Sequence, residues 1–216
     1  MSDFACTVRQ KLAARAASAE VRLCPDQYVG TLAGLKTNDQ FQRDSAANRA
    51  PGVKCVLLIL ESPHTSEFRG ALGPAAGSTG SNIRRYLRQV LGKLWRAEFG
   101  LMLVNAVQYQ CSLGVHTSVF RDEMFRAAWD GWAKGDFEKR IKRYYRDDDL
   151  VLNACTDGKP SKLPKLQHLV RIAIQDSLPK KCQSFEANHP SSWHNDGYRV
   201  IFTAPRPAFP VVEIGV

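Results

Sequence analysis

The chain has 216 residues, 44% apolar and 24% charged, the composition of a globular domain large enough to bury a core of its own. Its longest apolar runs, such as residues 55–60, fall far short of the roughly 20 residues of a membrane span, and MSDFACTVRQ lacks the layout of an export signal; a membrane protein, a collagen-like chain and a secreted disulfide scaffold are argued against. The net charge of +9, from 30 basic and 21 acidic residues, suits a polyanionic partner.

Taken in chain order, residues 5–24 place Cys6, Val8, Leu12, Ala13 and Ala17 at near-helical spacing, which predicts a first helix. Residues 37–52 are polar and end in Pro-Gly, a loop. VKCVLLIL at 53–60 is a nearly continuous apolar run, the pattern of a strand covered on both faces. Residues 62–80 are rich in Gly, Pro and Ser and form a long loop, a kind of segment usually kept for function. The spacing of Ile83, Leu87, Val90, Leu91 and Leu94 predicts a helix over 81–94 whose outer face carries Arg84, Arg85 and Arg88. A strand at 101–107, a mainly helical stretch at 123–145, a short strand at 150–155, a helix at 165–177 and a strand at 184–188 follow. The tail holds a strand-like YRVIFT and a proline-punctuated PRPAFP.

Strands alternating with helices predict a three-layer α/β/α domain with a central, mostly parallel four-stranded sheet, in which 56–60 and 101–105 are neighbours. Ligands in such sheets sit beyond the carboxyl ends of the strands. The polar groups at those ends are Glu61-Ser62-Pro63-His64, Asn105, Asn153 and Asn188-His189-Pro190-Ser191. The six cysteines are scattered, with no CxxC and no zinc-finger spacing, so neither a metal nor another cofactor is expected. Cys55 and Cys155 read as small core residues, and a reducing cytoplasm is the expected location.

These features, in this order across residues 53–193, resemble the uracil-DNA glycosylase superfamily. VLLIL with Glu61-Ser62-Pro63-His64 is similar to its first motif, and RGALGPAAG to the glycine-rich loop that follows. LVNAVQ with Asn105 is similar to its second strand, and Asn188-His189-Pro190-Ser191-Ser192 to its closing HPS motif. Leu60 stands where the family has glycine, and the family's stacking aromatic falls nearest Leu72, with Phe68 or Tyr109 as substitutes. The resemblance implies one domain over 1–216: an N-terminal helix and loop at 1–50, a core at 53–193 and a divergent tail at 194–216.

It further implies removal of a deaminated or damaged base from DNA by N-glycosidic hydrolysis, by a monomer without cofactor. That reaction builds positive charge on the sugar and negative charge on the leaving base, so fixed dipoles at those places accelerate it. Glu61 would position water or stabilise the sugar, and His189 would donate to the base. Asn105, Pro63, His64 and Phe68 would hold the base, since an amide such as Asn105 both donates and accepts. Ser191, Ser192 and Trp193 would enter the DNA, with Trp193 wedging a base step. Arg84, Arg85 and Arg88 would follow its phosphates.

Blander uses exist for each: Glu61 capping a helix, Asn105 and Asn153 satisfying turns, Trp193 packed on the domain. The competing functions are a catalytically idle member that only holds a nucleobase, nucleotide or DNA, and an unrelated hydrolase or transferase with a phosphate-binding glycine loop.

Overall fold

The computed structural model describes residues 22–37, 40–70, 72–112, 116 and 120–194, and the backbone of 201–202. Most of the helix expected at 5–24, most of the tail beyond 194, and Cys6 lie outside the described residues. The strands are β1 (Gln27–Thr31), β2 (Asp44–Ser45), β3 (Cys55–Leu60), β4 (Gly100–Asn105), β5 (Leu150–Asn153), β6 (Gln183–Glu186) and β7 (Ile201–Phe202). The helices are α1 (Ser78–Leu91), α2 (Arg121–Ala128), α3 (Lys134–Tyr144) and α4 (Leu166–Ser177).

They form a mixed α/β fold on one sheet, in the order β2-β1-β4-β3-β5-β6-β7. The centre, β4-β3-β5-β6, is parallel, with Leu57 opposite Met102 on one side and Val151 on the other. The sheet has seven strands rather than four, because β1, β2 and β7 add antiparallel edges. The single helix expected over 123–145 is α2 and α3 joined by a π-turn at Trp129–Ala133.

β3 is buried along its whole length, and its alternate residues enter two apolar clusters, as period-2 geometry requires. Cys55, Leu57 and Ile59 pack with Phe125, Phe137 and Ile174 from α2, α3 and α4. Val56, Leu58 and Leu60 pack with Ile83, Leu87 and Leu91 from α1. Cys55 and Cys155 are core residues, 0% and 1% exposed, and both are free thiols.

Two buried ion pairs fasten the ends of the sheet. At the start of β3, Arg49 grips Asp149 through both nitrogens, at 2.5 and 2.7 Å, and Asp149 also accepts the Cys55 N–H at 2.7 Å. At the end of β4, Arg140 pairs with Asp26 at 2.6 Å and donates to the carbonyls of Asn105 and Ala106 at 3.1 Å.

The glycine-rich loop closes against the first turns of α1. A Cβ on Gly80 would meet the Ala75 carbonyl oxygen at 1.9 Å and the Phe41 ring at 3.1 Å. Alanine normally stabilises a helix by about 1 kcal/mol over glycine. Here Gly80→Ala is expected to destabilise by about 1–3 kcal/mol, because the loop backbone must yield. A urea midpoint equal to or above that of the parent protein would show that the contact is not tight.

Candidate active site

β3 connects through α1 to β4 on one side, and the chain then crosses back to β5 on the other, so the strand order reverses between β3 and β5. A crevice opens beyond the carboxyl ends at such a point. It contains a pocket of about 130 Å³, in the size class of the roughly 150 Å³ cavity that holds one benzene ring. Its wall comes from the segment after β3 (Glu61, Ser62, Pro63, His64, Glu67) and the start of α1 (Ser78, Thr79). Ser112 and Arg121 on either side of the β4–α2 loop, Thr156 after β5, and His189 and Ser191 after β6 complete it. A larger cavity of about 220 Å³ lies at the end of α4, against Ile174, Leu178 and Pro179; among the described residues its lining holds one carboxyl, Asp176, and no histidine.

Glu61 is 5% exposed. Its Oε1 accepts the Ser62 hydroxyl at 3.0 Å, and its Oε2 faces the Arg121 Nε at 3.5 Å. Burial pushes its pKa up to about 7, against the pull of Arg121 and Ser62. The carboxyl is therefore divided between charged and neutral forms near neutral pH.

His189 starts a single 3-10 turn, Pro190–Ser192. Its Nδ1 accepts the Ser191 N–H at 3.3 Å and lies 2.9 Å from the Ser191 Oγ. Burial, with Arg121 nearby, pushes its pKa down to about 4. The ring is neutral at pH 7, and with Nδ1 accepting, the proton resides on Nε2. His64 begins a matching turn, its Nδ1 accepting the Ser66 N–H at 3.5 Å.

The turn that carries His189 is held from three sides. Asn82 of α1 donates to the Pro190 carbonyl at 2.9 Å, the Ser192 hydroxyl to the His189 carbonyl at 2.8 Å, and the Trp193 indole N–H to the Asn188 carbonyl at 2.6 Å. Trp193 is 2% exposed and packs among the α1-side apolar residues. The indole anchors the turn, buried in the core rather than standing exposed as a wedge would.

The structure brings Glu61, Pro63, His64, His189 and Ser191 to one pocket. Ser192 builds the turn behind His189. Asn105 does not line the pocket. It is 0% exposed, its N–H goes to Asp26 Oδ1 at 3.2 Å, its Nδ2 to the Cys24 sulfur at 3.7 Å, and its amide also bonds the Glu67 carboxyl. It reaches the cavity only through Glu67. Phe68 and Tyr109 are 7% and 9% exposed and also stand outside the wall: Arg22 covers Phe68 at 5.7 Å, and Trp132 meets Tyr109 edge-on at 5.5 Å. Arg84, Arg85 and Arg88 lie farther along α1, over the rings of Phe41, Tyr86 and Trp95 at 4.8, 5.9 and 5.9 Å.

The sequence pattern does not single out Ser78, Thr79, Ser112 and Thr156 of this wall, nor its two further charged groups, Arg121 and Glu67. A cation in the first turn of a helix opposes the helix dipole, and that misfit was the available signal for Arg121. Glu67 sits in a short turn of an irregular loop, where no periodicity marks it. Burial pushes its pKa up to about 8, against bonds from the Ala75 backbone and the Asn105 amide. Ala75 itself takes a left-handed φ of 57°, a strained conformation for alanine of the kind that clusters at functional sites.

Among the described residues no group of three His, Cys, Asp or Glu stands close enough to hold a metal ion, and no helix is long and apolar enough to cross a membrane. Comparison with protein-family models, with curated proteins and with solved structures finds no match.

Proposed function

We propose that this chain is a DNA N-glycosylase-like enzyme of three-layer α/β/α build that hydrolyses the bond between deoxyribose and a deaminated base of uracil type. It acts as a monomer in the cytoplasm and needs no cofactor. The observation that carries this reading is the meeting of an Arg121-paired Glu61 and a neutral, Nε2-protonated His189 in one ring-sized pocket. The ordered motifs at 61–64 and 188–192 support it.

In this reaction the bond from C1′ to the base nitrogen breaks and the base leaves as an anion. The His189 Nε2–H donates to the base oxygen that gains charge, a fixed dipole of the kind that lowers such barriers most. The ionised Glu61 stabilises the cationic sugar and accepts a proton from the water whose oxygen bonds to C1′. The departing base then takes up a proton. Among the described residues no lysine lines the pocket, so no Schiff base with the sugar and no strand cleavage is expected. The test is a panel of uracil, hypoxanthine and xanthine oligonucleotides, single- and double-stranded, read by alkaline cleavage. Release from any of them supports the enzyme; binding of the base without release assigns the idle member instead.

The DNA backbone is assigned to the flank of α1. Two adjoining cavities of about 700 and 370 Å³ share Leu35 and Arg84 there. Their described walls carry Lys36, Arg84, Arg85 and Arg88 and no carboxylate. Cations in such a groove displace counterions from phosphates, so affinity falls with salt. Replacing the three arginines by alanine is expected to weaken binding to all sequences alike and to flatten the slope of log affinity against log salt by about 3, near 0.9 per lost phosphate contact. An unchanged slope in a mobility-shift titration would place the DNA elsewhere.

A further inference from the structure

We propose that Glu67 selects the ligand of this pocket, as a neutral carboxylic acid reading a ring edge that carries one hydrogen-bond donor and one acceptor side by side. The proposal rests on the pocket holding a nucleobase, and not on its cleavage.

Glu67 lines the same cavity as Glu61 and is 6% exposed. The two carboxyls differ in their partners. Glu61 has Arg121 at 3.5 Å. Among the described residues Glu67 has no cation within ion-pair distance, 4.0 Å. Arg43, the cation that most affects it, gives its Nη1 to the Gln27 Oε1 at 2.7 Å and the Pro74 carbonyl at 2.8 Å and has its Nη2 buried without a hydrogen-bond partner among the described residues; its charge favours the carboxylate but burial outweighs it. A buried carboxyl without a counter-ion takes up a proton rather than stay charged. The other groups about it leave that balance in place. The Cys24 thiol, 4.0 Å from Oε2, is itself held neutral, and Asp26 beyond it is paired with Arg140. Across the pocket, Arg121 is shared between Glu61 at 3.5 Å and Asp122 at 2.9 Å, and His64 and His189 present imidazole rings. Bonds from the Ala75 backbone and the Asn105 amide favour the ionised form, but burial outweighs them.

Those same bonds hold the carboxyl in one orientation at the pocket wall. A neutral carboxyl offers one O–H donor and one acceptor, whereas a carboxylate offers only acceptors. The first matches the N–H and C=O of a cyclic amide such as uracil. The second would match an edge with two donors, such as N1–H and the 2-amino group of guanine. The two carboxyls of the pocket differ in their surroundings, Glu61 beside the Arg121 guanidinium and Glu67 braced by neutral donors, and such a difference is a recurrent device for dividing roles.

The experiment is a calorimetric or NMR titration of free uracil into the full chain at pH 6.5 and pH 9, with Glu67→Gln and Glu67→Ala beside it and thermal melts confirming that each is folded. Glutamine keeps a donor and an acceptor and cannot ionise. Wild-type affinity is expected to fall about tenfold at the higher pH, the loss for a group that must stay protonated with a pKa one unit below. Glu67→Gln should bind as the wild type does at pH 6.5 and lose little at pH 9, which also controls for ionisation of uracil itself. Glu67→Ala should bind at least tenfold more weakly at both. A Gln variant as weak as the Ala variant, an Ala variant that binds normally, wild-type binding that strengthens with pH, or no uracil binding at all would overturn the assignment. Uracil binding that follows the expected pattern without base release from DNA would support Glu67 and remove only the catalytic reading.

Discussion

His189→Ala is expected to slow base release by about 10²–10³-fold, the loss typical of removing one donor from a developing oxyanion. The expectation follows from the turn that fixes the ring. Because Nδ1 accepts the Ser191 N–H, Nε2 carries the proton at every pH above the pKa of about 4. The donor is thus a neutral N–H and its contribution is flat across the neutral range. The acidic limb of the rate belongs instead to Glu61, whose pKa of about 7 means that acidification protonates the group needed as a carboxylate. The rate should fall on the acidic side of pH 7 in the wild type. In Glu61→Gln it should be low throughout and lack that limb. Single-turnover rates between pH 5 and 9 decide the matter. A His189→Ala variant within threefold of the wild type, or a limb that survives in Glu61→Gln, would separate these side chains from the chemistry.

Asp149→Ala is expected to remove about 3–5 kcal/mol of stability, the loss found when one partner of a buried ion pair is deleted and the other is left uncompensated. Arg49 and Asp149 have side chains 2% and 0% exposed. The carboxylate also accepts the N–H groups of Cys55 and Arg146, at 2.7 and 2.9 Å, so the substitution strands two further donors. A loss of this size is comparable to the whole stability of many domains, and expression at low temperature serves the measurement. Urea unfolding with a change below 1 kcal/mol would mean that water or another group replaces the carboxylate. The pair ties the start of β3 to the loop before β5, the two strands that frame the pocket at their opposite ends.

Three of the four parallel strands, β3, β4 and β5, were legible because they are buried along their whole length and therefore read as apolar runs, whereas β6, QSFE, buries only Phe185. VLLIL and LMLVN left no alternative by length or composition. β1 was not legible: QYVGT alternates over only five residues and contains Gly30, and its pairing is settled by β4 far along the chain. Glu61 and His189 were found because each directly follows a strand or sits in a short motif. Arg121 was not, because its partnership with Glu61 exists only once α2 begins beside the end of β3. Asn105 shows the limit in the other direction. It stands at a strand end as expected, yet the buried Cys24 and Glu67 claim its amide, and no sequence pattern reports which side of a strand end faces a cavity. Of the two uses open to Trp193, packing on the domain is the one seen, its indole buried and bonded to the Asn188 carbonyl.

The central claim is that the pocket performs hydrolysis at C1′. The most direct measurement incubates the full chain with a uracil-containing oligonucleotide in ¹⁸O-labelled water and follows both products by mass spectrometry. Hydrolysis at C1′ gives free uracil without label, an intact strand bearing an abasic site with one labelled oxygen at C1′, and no adduct trapped by borohydride. Uracil that stays attached to DNA while still binding the pocket, or a trapped covalent adduct with strand cleavage, would contradict it.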